Sequence, residues 1–345
     1  MPAKLPDWAC AHGGPVAAAA LRTAPEDFIV DELLDVEFTG DGEHDWLKIE
    51  KRGSNTDWIA RQLARHADTR PSDVGYAGLK DRHAVTTQWF SIWRRAGADV
   101  DWTSFAADGA RVLAVERHQR KLRRGTHSGN RFRITARGAT VGACRDAIEA
   151  RVAALTERGA PNYFGEQRFG RDAANLELAR KVLGGARVKR QQRSIALSAG
   201  RAYLFNGILH TRVLDGSWDT LLEGERANLD GSGSLFGVDV VDEELRSRLK
   251  AGDIHPTATL WGQGAPIGDG AVQALESAVA RSFDTRTAEL AAGLESARID
   301  AGSRPTRLVA HELAVEVEND SVRFDFRLSR GSYATALLRE VFTTP

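Results

Sequence analysis

Hydrophobic and polar positions alternate along several short stretches of the chain, and each stretch predicts a strand. Leu47 and Ile49 alternate with Lys48 and Glu50, the period of a half-buried strand. Phe132, Ile134 and Ala136 point one way, while Arg131, Arg133, Thr135 and Arg137 point the other, so one face packs inward and the other is cationic. Val322, Phe324, Phe326 and Leu328 alternate with Arg323, Asp325 and Arg327, after a strand holding Val315 and Val317 and a turn at Glu318-Asn319-Asp320-Ser321. Phe28-Ile29-Val30 and the β-forming run from Thr87 to Trp93 read as further strands. Other stretches repeat at helical spacing. Ile59 and Leu63 share a helix face that Asn55 or Thr56 can cap, with Asp57 in the first turn. Val141, Cys144, Ile148, Val152 and Leu155 form a second apolar stripe, closed by Gly159. Ser332 can cap a last helix from Tyr333 to about Val341.

The middle of the chain, from Pro161 to about Pro305, has a different texture. Helical stretches from Ala173 to Leu183, Ala199 to Leu214 and Ala271 to Ser296 are separated by glycine-rich loops such as Asp230-Gly231-Ser232-Gly233. A length of 345 residues suits two domains. A mixed beginning, a helical middle and a β ending predict an α+β chain in which residues 1–158 and 306–345 share one core, and 159–305 form an insertion.

Charge sharpens this picture. The chain carries 47 basic and 47 acidic residues, which argues against coating nucleic acid by bulk charge. What matters is where the charge sits. From Arg111 to Arg137 there are nine Lys or Arg and one acid, Glu116; from Lys181 to Arg193 there are five basic residues and no acid. From Asp239 to Glu244 the sign reverses. Cys10 and Cys144 form neither a metal-ligand pair nor a disulfide framework, which fits a reducing cytoplasm. No signal peptide and no apolar run near the roughly 18 residues of a membrane span is evident.

The sequence has no phosphate-binding P-loop, dinucleotide fingerprint, zinc helix or nucleophile elbow, so its chemistry must use ordinary side chains. The densest candidate runs from Tyr76 to Trp89. In it Gly78 permits a tight turn, Asp81 stands between Lys80 and Arg82, and a β-rich run follows. An Asp on a loop at the mouth of a sheet can act as nucleophile or base, and neighbouring cations keep it ionised. Alone, such an acid reads first as a surface residue paired with its neighbours. Lys121, Arg123 and Arg124 in the run from His118 to Gly125 read as a patch that tracks a phosphate backbone, or as a solvated loop. Asn130, after Gly129, can meet a base edge or belong to an ordinary turn, and Phe28, Phe132 and Tyr333 can serve as platforms for an unstacked base or as core residues. His44 lacks a second metal ligand at suitable spacing. The block Asn162 to Gly170 is dense in aromatic and polar groups and reads first as a clamp at the domain junction, otherwise as an RNA contact, with Arg168 the candidate for that role.

Together and in this order these segments resemble the TruD family of tRNA pseudouridine synthases. The resemblance rests on Pro25-Glu26-Asp27-Phe28, Gly42-Glu43-His44, Asn55-Thr56, Gly78 to Trp89, Lys121-Leu122-Arg123, Gly129-Asn130-Arg131-Phe132, Asn162 to Gly170, Gly331 to Thr335 and Arg339-Glu340. It implies a pseudouridine-synthase core with a mixed, mainly antiparallel sheet, plus an α/β insertion domain particular to the family. It implies isomerisation of uridine, at position 13 of certain tRNAs, with Asp81 as catalytic residue and no cofactor or metal. Phe28 and Asn130 match positions that contact the target base. Tyr333 matches a third, where Phe is commoner. Phe132 matches a ring packed on the base, and Arg22 matches a basic position, usually Lys, near the active site. Lys80 or Arg22 would keep Asp81 charged. The expected partner is tRNA, with no membrane, and the expected state a cytoplasmic monomer. Two rivals remain at this level: a non-catalytic RNA-binding protein on the same scaffold, and a carboxylate hydrolase, which would want a second acid at a defined separation.

Overall fold

The alternating stretches fold into one sheet. In the computed structural model, which describes residues 5–94 and 99–343, its strands are β1 (Phe28–Leu33), β2 (His44–Arg52), β3 (Val74–Tyr76), β4 (Val85–Trp93), β5 (Ala110–His118), β6 (Gly129–Arg137), β7 (His311–Val317) and β8 (Ser321–Ser329). The order across the sheet is β7-β8-β6-β1-β4-β2-β5, with β3 pairing to β4 and a short strand, Ala20–Leu21, pairing to β6. Only β1 and β4 run parallel, with Ile29 opposite Val85; the other pairings are antiparallel. The fold is thus α+β with a mixed, mainly antiparallel sheet, as expected.

The period-2 pattern decides which face is buried. Leu47 and Ile49 of β2 and Phe90 and Ile92 of β4 pack against Ile59, Ala60 and Leu63 of α1 (Thr56–His66). Phe132, Ile134 and Ala136 are buried, as are Phe324 and Phe326 opposite them. The arginines of β6 lie on the other face, but they are not free: Arg131 pairs with Asp325, Arg133 with Asp31 and Arg137 with Asp27. The predicted cationic face is therefore a ladder of neutralised pairs.

The chain divides into two compact units. One, the sheet unit, takes Ala17–Val152, Ala310–Gly331 and Thr343–Pro345; the other takes Met1–Val16, Ala153–Val309 and Ser332–Phe342. One of the chain's passages between them falls within α2 (Arg145–Arg158). The second unit packs α3 (Ala174–Leu183), α4 (Arg190–Leu214), α5 (Glu243–Ala251), α6 (Gly270–Ser282) and α7 (Thr287–Ser296) with a four-stranded sheet in the order Leu235–Gly237, Arg226–Leu229, Ile254–Leu260, Gly302–Pro305. It also takes in Met1–Val16 and Ser332–Phe342, which chain order alone would group with the sheet. The reason is Trp8: its ring packs on Tyr163, Tyr203 and Phe283 in this unit's core, and Arg339 donates to the carbonyls of Trp8 and Ala9.

Some elements differ from expectation. The helix expected from Ala271 to Ser296 is broken, because the Asp284 carboxylate accepts from the backbone N–H groups of Arg286 and Thr287 and starts α7 afresh. α4 starts at Arg190, so the polar run before Ala196 forms its solvent-facing first turns. The last helix, α8, covers only Ala334–Leu338, with Tyr333 rather than Ser332 at its N-cap. β5 escapes the sequence pattern because it is an edge strand whose Leu113 and Val115 stay exposed, which blurs the alternation.

Candidate active site

Asp81 stands in the loop between β3 and β4, and the loop is held from beneath by buried polar groups. Thr56, the first residue of α1, accepts a hydrogen bond from the Lys80 N–H at 3.0 Å and donates to Gln88 Oε1 at 2.9 Å. Gln88 Nε2 in turn donates to the Gly78 carbonyl at 3.1 Å. Lys51, fully buried on β2, donates to the Asp81 carbonyl at 2.8 Å and to the Ser54 carbonyl at 2.7 Å. Asp81 Oδ1 accepts from the His83 N–H at 3.1 Å, an Asx-type turn that fixes one carboxylate oxygen.

The other oxygen meets Arg22. Its Nη2 lies 2.9 Å from Asp81 Oδ2, and both side chains are under one-third exposed. Arg22 adopts a left-handed backbone conformation, φ 61°, uncommon for a residue with a Cβ and typical of functional sites. The same guanidinium lies over the Phe28 ring, 4.2 Å from its centroid. Phe28 follows a short 3-10 turn, Pro25–Asp27, closed by the Ala24 N–H donating to the buried Asp27 carboxylate. The Phe28 and Phe132 rings meet edge to face at 6.2 Å, and Phe132 stacks on Phe326 at 5.4 Å. On β6, Asn130 lies opposite Glu32; its Oδ1 is buried with no hydrogen-bond partner among the described residues.

Lys80 does not turn towards Asp81. Its ammonium is buried and pairs with Glu32 at 2.7 Å, while the other Glu32 oxygen accepts from the Trp89 N–H. Among the described residues, Arg22 is therefore the cation paired with the Asp81 carboxylate. Burial, and then the Lys80 charge, depress the basicity of His127 nearby. Burial likewise brings Lys51 down to about 8, partly offset by the field of Asp81.

The basic loop is tied to the Asp81 loop: the Gly125 N–H donates to the Ala77 carbonyl at 2.8 Å. Lys121 and Arg123 are exposed, the Lys121 ammonium donating to the Ser72 carbonyl, and Arg124 lies 3.7 Å over the Tyr76 ring.

Tyr333 and Arg168 belong to the second unit. The Arg168 guanidinium donates to the Tyr333 hydroxyl and, at 3.1 Å, to Ser198 Oγ. With Gln167, Asn175 and Ile195 they line a pocket of about 330 Å³. Much of the Asn162 to Gly170 block is internal scaffolding: Asn162 binds Pro305 and Arg304, and Phe164 bonds to the buried Asn206.

Sequence reasoning missed Lys51, Glu32, Thr56 and Gln88 as supports, although a signal was present. Lys51 continues the inward positions of Leu47 and Ile49, and Glu32 those of Phe28 and Val30. A charge at an inward position of a strand must find buried partners.

Comparison with known proteins finds matches along most of the chain. The family model for tRNA pseudouridine synthase D (TruD) matches residues 11–185 and 184–341. A tRNA pseudouridine synthase D of Methylococcus capsulatus is 46% identical, covering 96% of this chain and 93% of that one. One from Xanthomonas axonopodis pv. citri is 44% identical over 96% and 93%. The crystal structure assigned to tRNA pseudouridine synthase D of Methanosarcina mazei superposes with a TM-score of 0.73 at 19% identity, covering 98% of this chain and 96% of that one, which speaks to the fold. With matches of this extent, on a sheet that presents an arginine-anchored aspartate beside two phenylalanine rings, the chain belongs to the tRNA pseudouridine synthase D (TruD) family.

Proposed function

We propose that this chain isomerises uridine to pseudouridine in tRNA, at position 13, with Asp81 as its catalytic residue. The observation that carries the reading is the 2.9 Å contact between Arg22 and a carboxylate whose loop is anchored by buried side chains. The glycosidic bond must break at nitrogen and re-form at carbon while the base stays bound. A carboxylate can attack the anomeric carbon, add to the uracil ring, or take the 2′ proton. Each route needs it ionised and fixed, and Arg22 favours the ionised form. Phe28 and Phe132 offer aromatic surface for the flipped base, and the unpaired Asn130 Oδ1 suits an imide N–H donor. Tyr333 keeps the base-contact role the resemblance implies. Lys80 acts through its pair with Glu32, supporting the loop.

Unstacking the target costs roughly a few kcal/mol. Phosphate contacts from Lys121, Arg123 and Arg124, from Arg168, and from the stretch between Lys181 and Arg193 would offset it. In the same reading residues 159–305 are the family's insertion domain, and the enzyme acts as a cytoplasmic monomer; no helix among the described residues is long and apolar enough to cross a membrane.

The test is Asp81→Asn, assayed on unmodified tRNA transcripts with pseudouridine mapped by carbodiimide labelling. The variant should fold, bind tRNA and form no product at position 13. Retained activity would remove Asp81 from the chemistry, and free uracil from the unaltered enzyme would make it a hydrolase.

A further inference from the structure

Lys51 is an unusual lysine. It is 0% exposed, on a strand whose neighbouring inward residues, Leu47 and Ile49, are apolar core. A buried ammonium is costly unless it is paired, yet among the described residues Lys51 pairs with no carboxylate. It donates instead to two backbone carbonyls: Ser54, just beyond its own strand, and Asp81, on the loop between β3 and β4. The charged groups that bear on it are Asp81, which favours its ammonium form, and Lys80, which opposes it. A methionine of similar length would fill this space without the desolvation cost. The lysine is suited to something packing alone does not require: gripping the main chain at Asp81.

We infer that Lys51 is a positioning residue for Asp81, holding the backbone of residue 81 so that the carboxylate stands ready between Arg22 and the His83 N–H. Each grip acts on a different part of the residue. Arg22 holds Oδ2, the His83 N–H holds Oδ1, and Lys51 holds the carbonyl. Without the third, the side-chain contacts can persist while the whole residue shifts with its loop, and displacements of about 1 Å at a reacting group are enough to slow a reaction a hundredfold. The ammonium grips more strongly than the free amine, because a charged donor makes the stronger hydrogen bond. Deprotonation of Lys51 therefore loosens the loop, and the sign follows: activity is held below the Lys51 pKa of about 8 and falls as pH rises through it.

The inference rests on Asp81 being the catalytic residue, so the experiment includes Asp81→Asn. The full-length protein and its Lys51→Met and Lys51→Gln variants are compared for melting temperature, tRNA affinity and single-turnover rate at saturating tRNA across the pH range on both sides of about 8. Lys51→Met should melt within a few degrees of the parent and bind tRNA within about twofold, but react at least tenfold more slowly. Lys51→Gln keeps an N–H donor without the charge. It should recover part of the rate and lack the parent's decline near pH 8. A Lys51→Met variant with parental rate overturns the inference, as does a decline near pH 8 that persists unchanged in Lys51→Gln. Should Lys51→Met fail to fold, the Lys51→Gln pH profile alone decides. Activity in Asp81→Asn would instead overturn the catalytic assignment itself. An inactive Asp81→Asn beside unaffected Lys51 variants would overturn only the role of Lys51.

Discussion

Arg22 does two things with one guanidinium: it pairs with Asp81 and covers Phe28. A charged hydrogen bond in a partly shielded site contributes about 1.5–3 kcal/mol, and each 1.4 kcal/mol is tenfold in rate. Arg22→Met should therefore slow the single-turnover reaction by about ten- to a hundredfold with little change in melting temperature. Arg22→Lys should restore much of it. Equal rates for both variants would show that charge at this position is irrelevant. At this scale Asp81 was legible as an acid in a suggestive loop, and the family resemblance offered Lys80 or Arg22 as its counter-ion without choosing between them; the contact is with Arg22. Lys80 is adjacent in sequence and Arg22 is not. The Lys80 side chain points to Glu32 instead, because direction depends on the backbone turn and not on sequence distance.

The loop that carries Asp81 is an element without regular structure, and its order comes from neighbours. Thr56 joins it to α1 and, through Gln88, to β4. Thr56→Val keeps the shape but leaves the Lys80 N–H and Gln88 Oε1 without their partner. An unsatisfied buried polar group costs about 1–3 kcal/mol, so the melting temperature should fall by several degrees, with activity falling too. Thr56→Ser should recover both; a Val variant as stable and active as the parent would deny the network its role. The regular elements around this loop were the most legible part of the fold. β2, β6 and β8 follow from alternation, since a strand with one buried face must alternate; β1 reads from a short apolar run and β4, buried on both faces, from its β-forming residues. β5 was not legible, since an edge strand need not bury either face fully. α6 and α7 read as one helix because an Asp side chain ending one and starting another leaves the apolar spacing intact.

At the scale of the molecule, zero net charge hides its distribution. Lys121 and Arg123 are exposed next to the Asp81 loop, while the arginines of β6 are already paired with acids. Changing Lys121 and Arg123 together to Ala should weaken tRNA binding and reduce the slope of log affinity against log salt by about two, one for each phosphate that is no longer neutralised. An unchanged slope would move the RNA grip elsewhere, with the exposed cations between Lys181 and Arg193 the next to test. The chain alone determined the α+β class, the inward faces of the main strands, the segregation of charge and the family, because alternation, helical spacing and motif order are properties of neighbouring residues. Only the tertiary structure decided that Trp8 and Arg339 pack with the helices, that Lys80 turns away from Asp81, and that Arg22 and Lys51 hold it. Those contacts join residues far apart in sequence, and no local pattern records which distant partner a buried charge will meet.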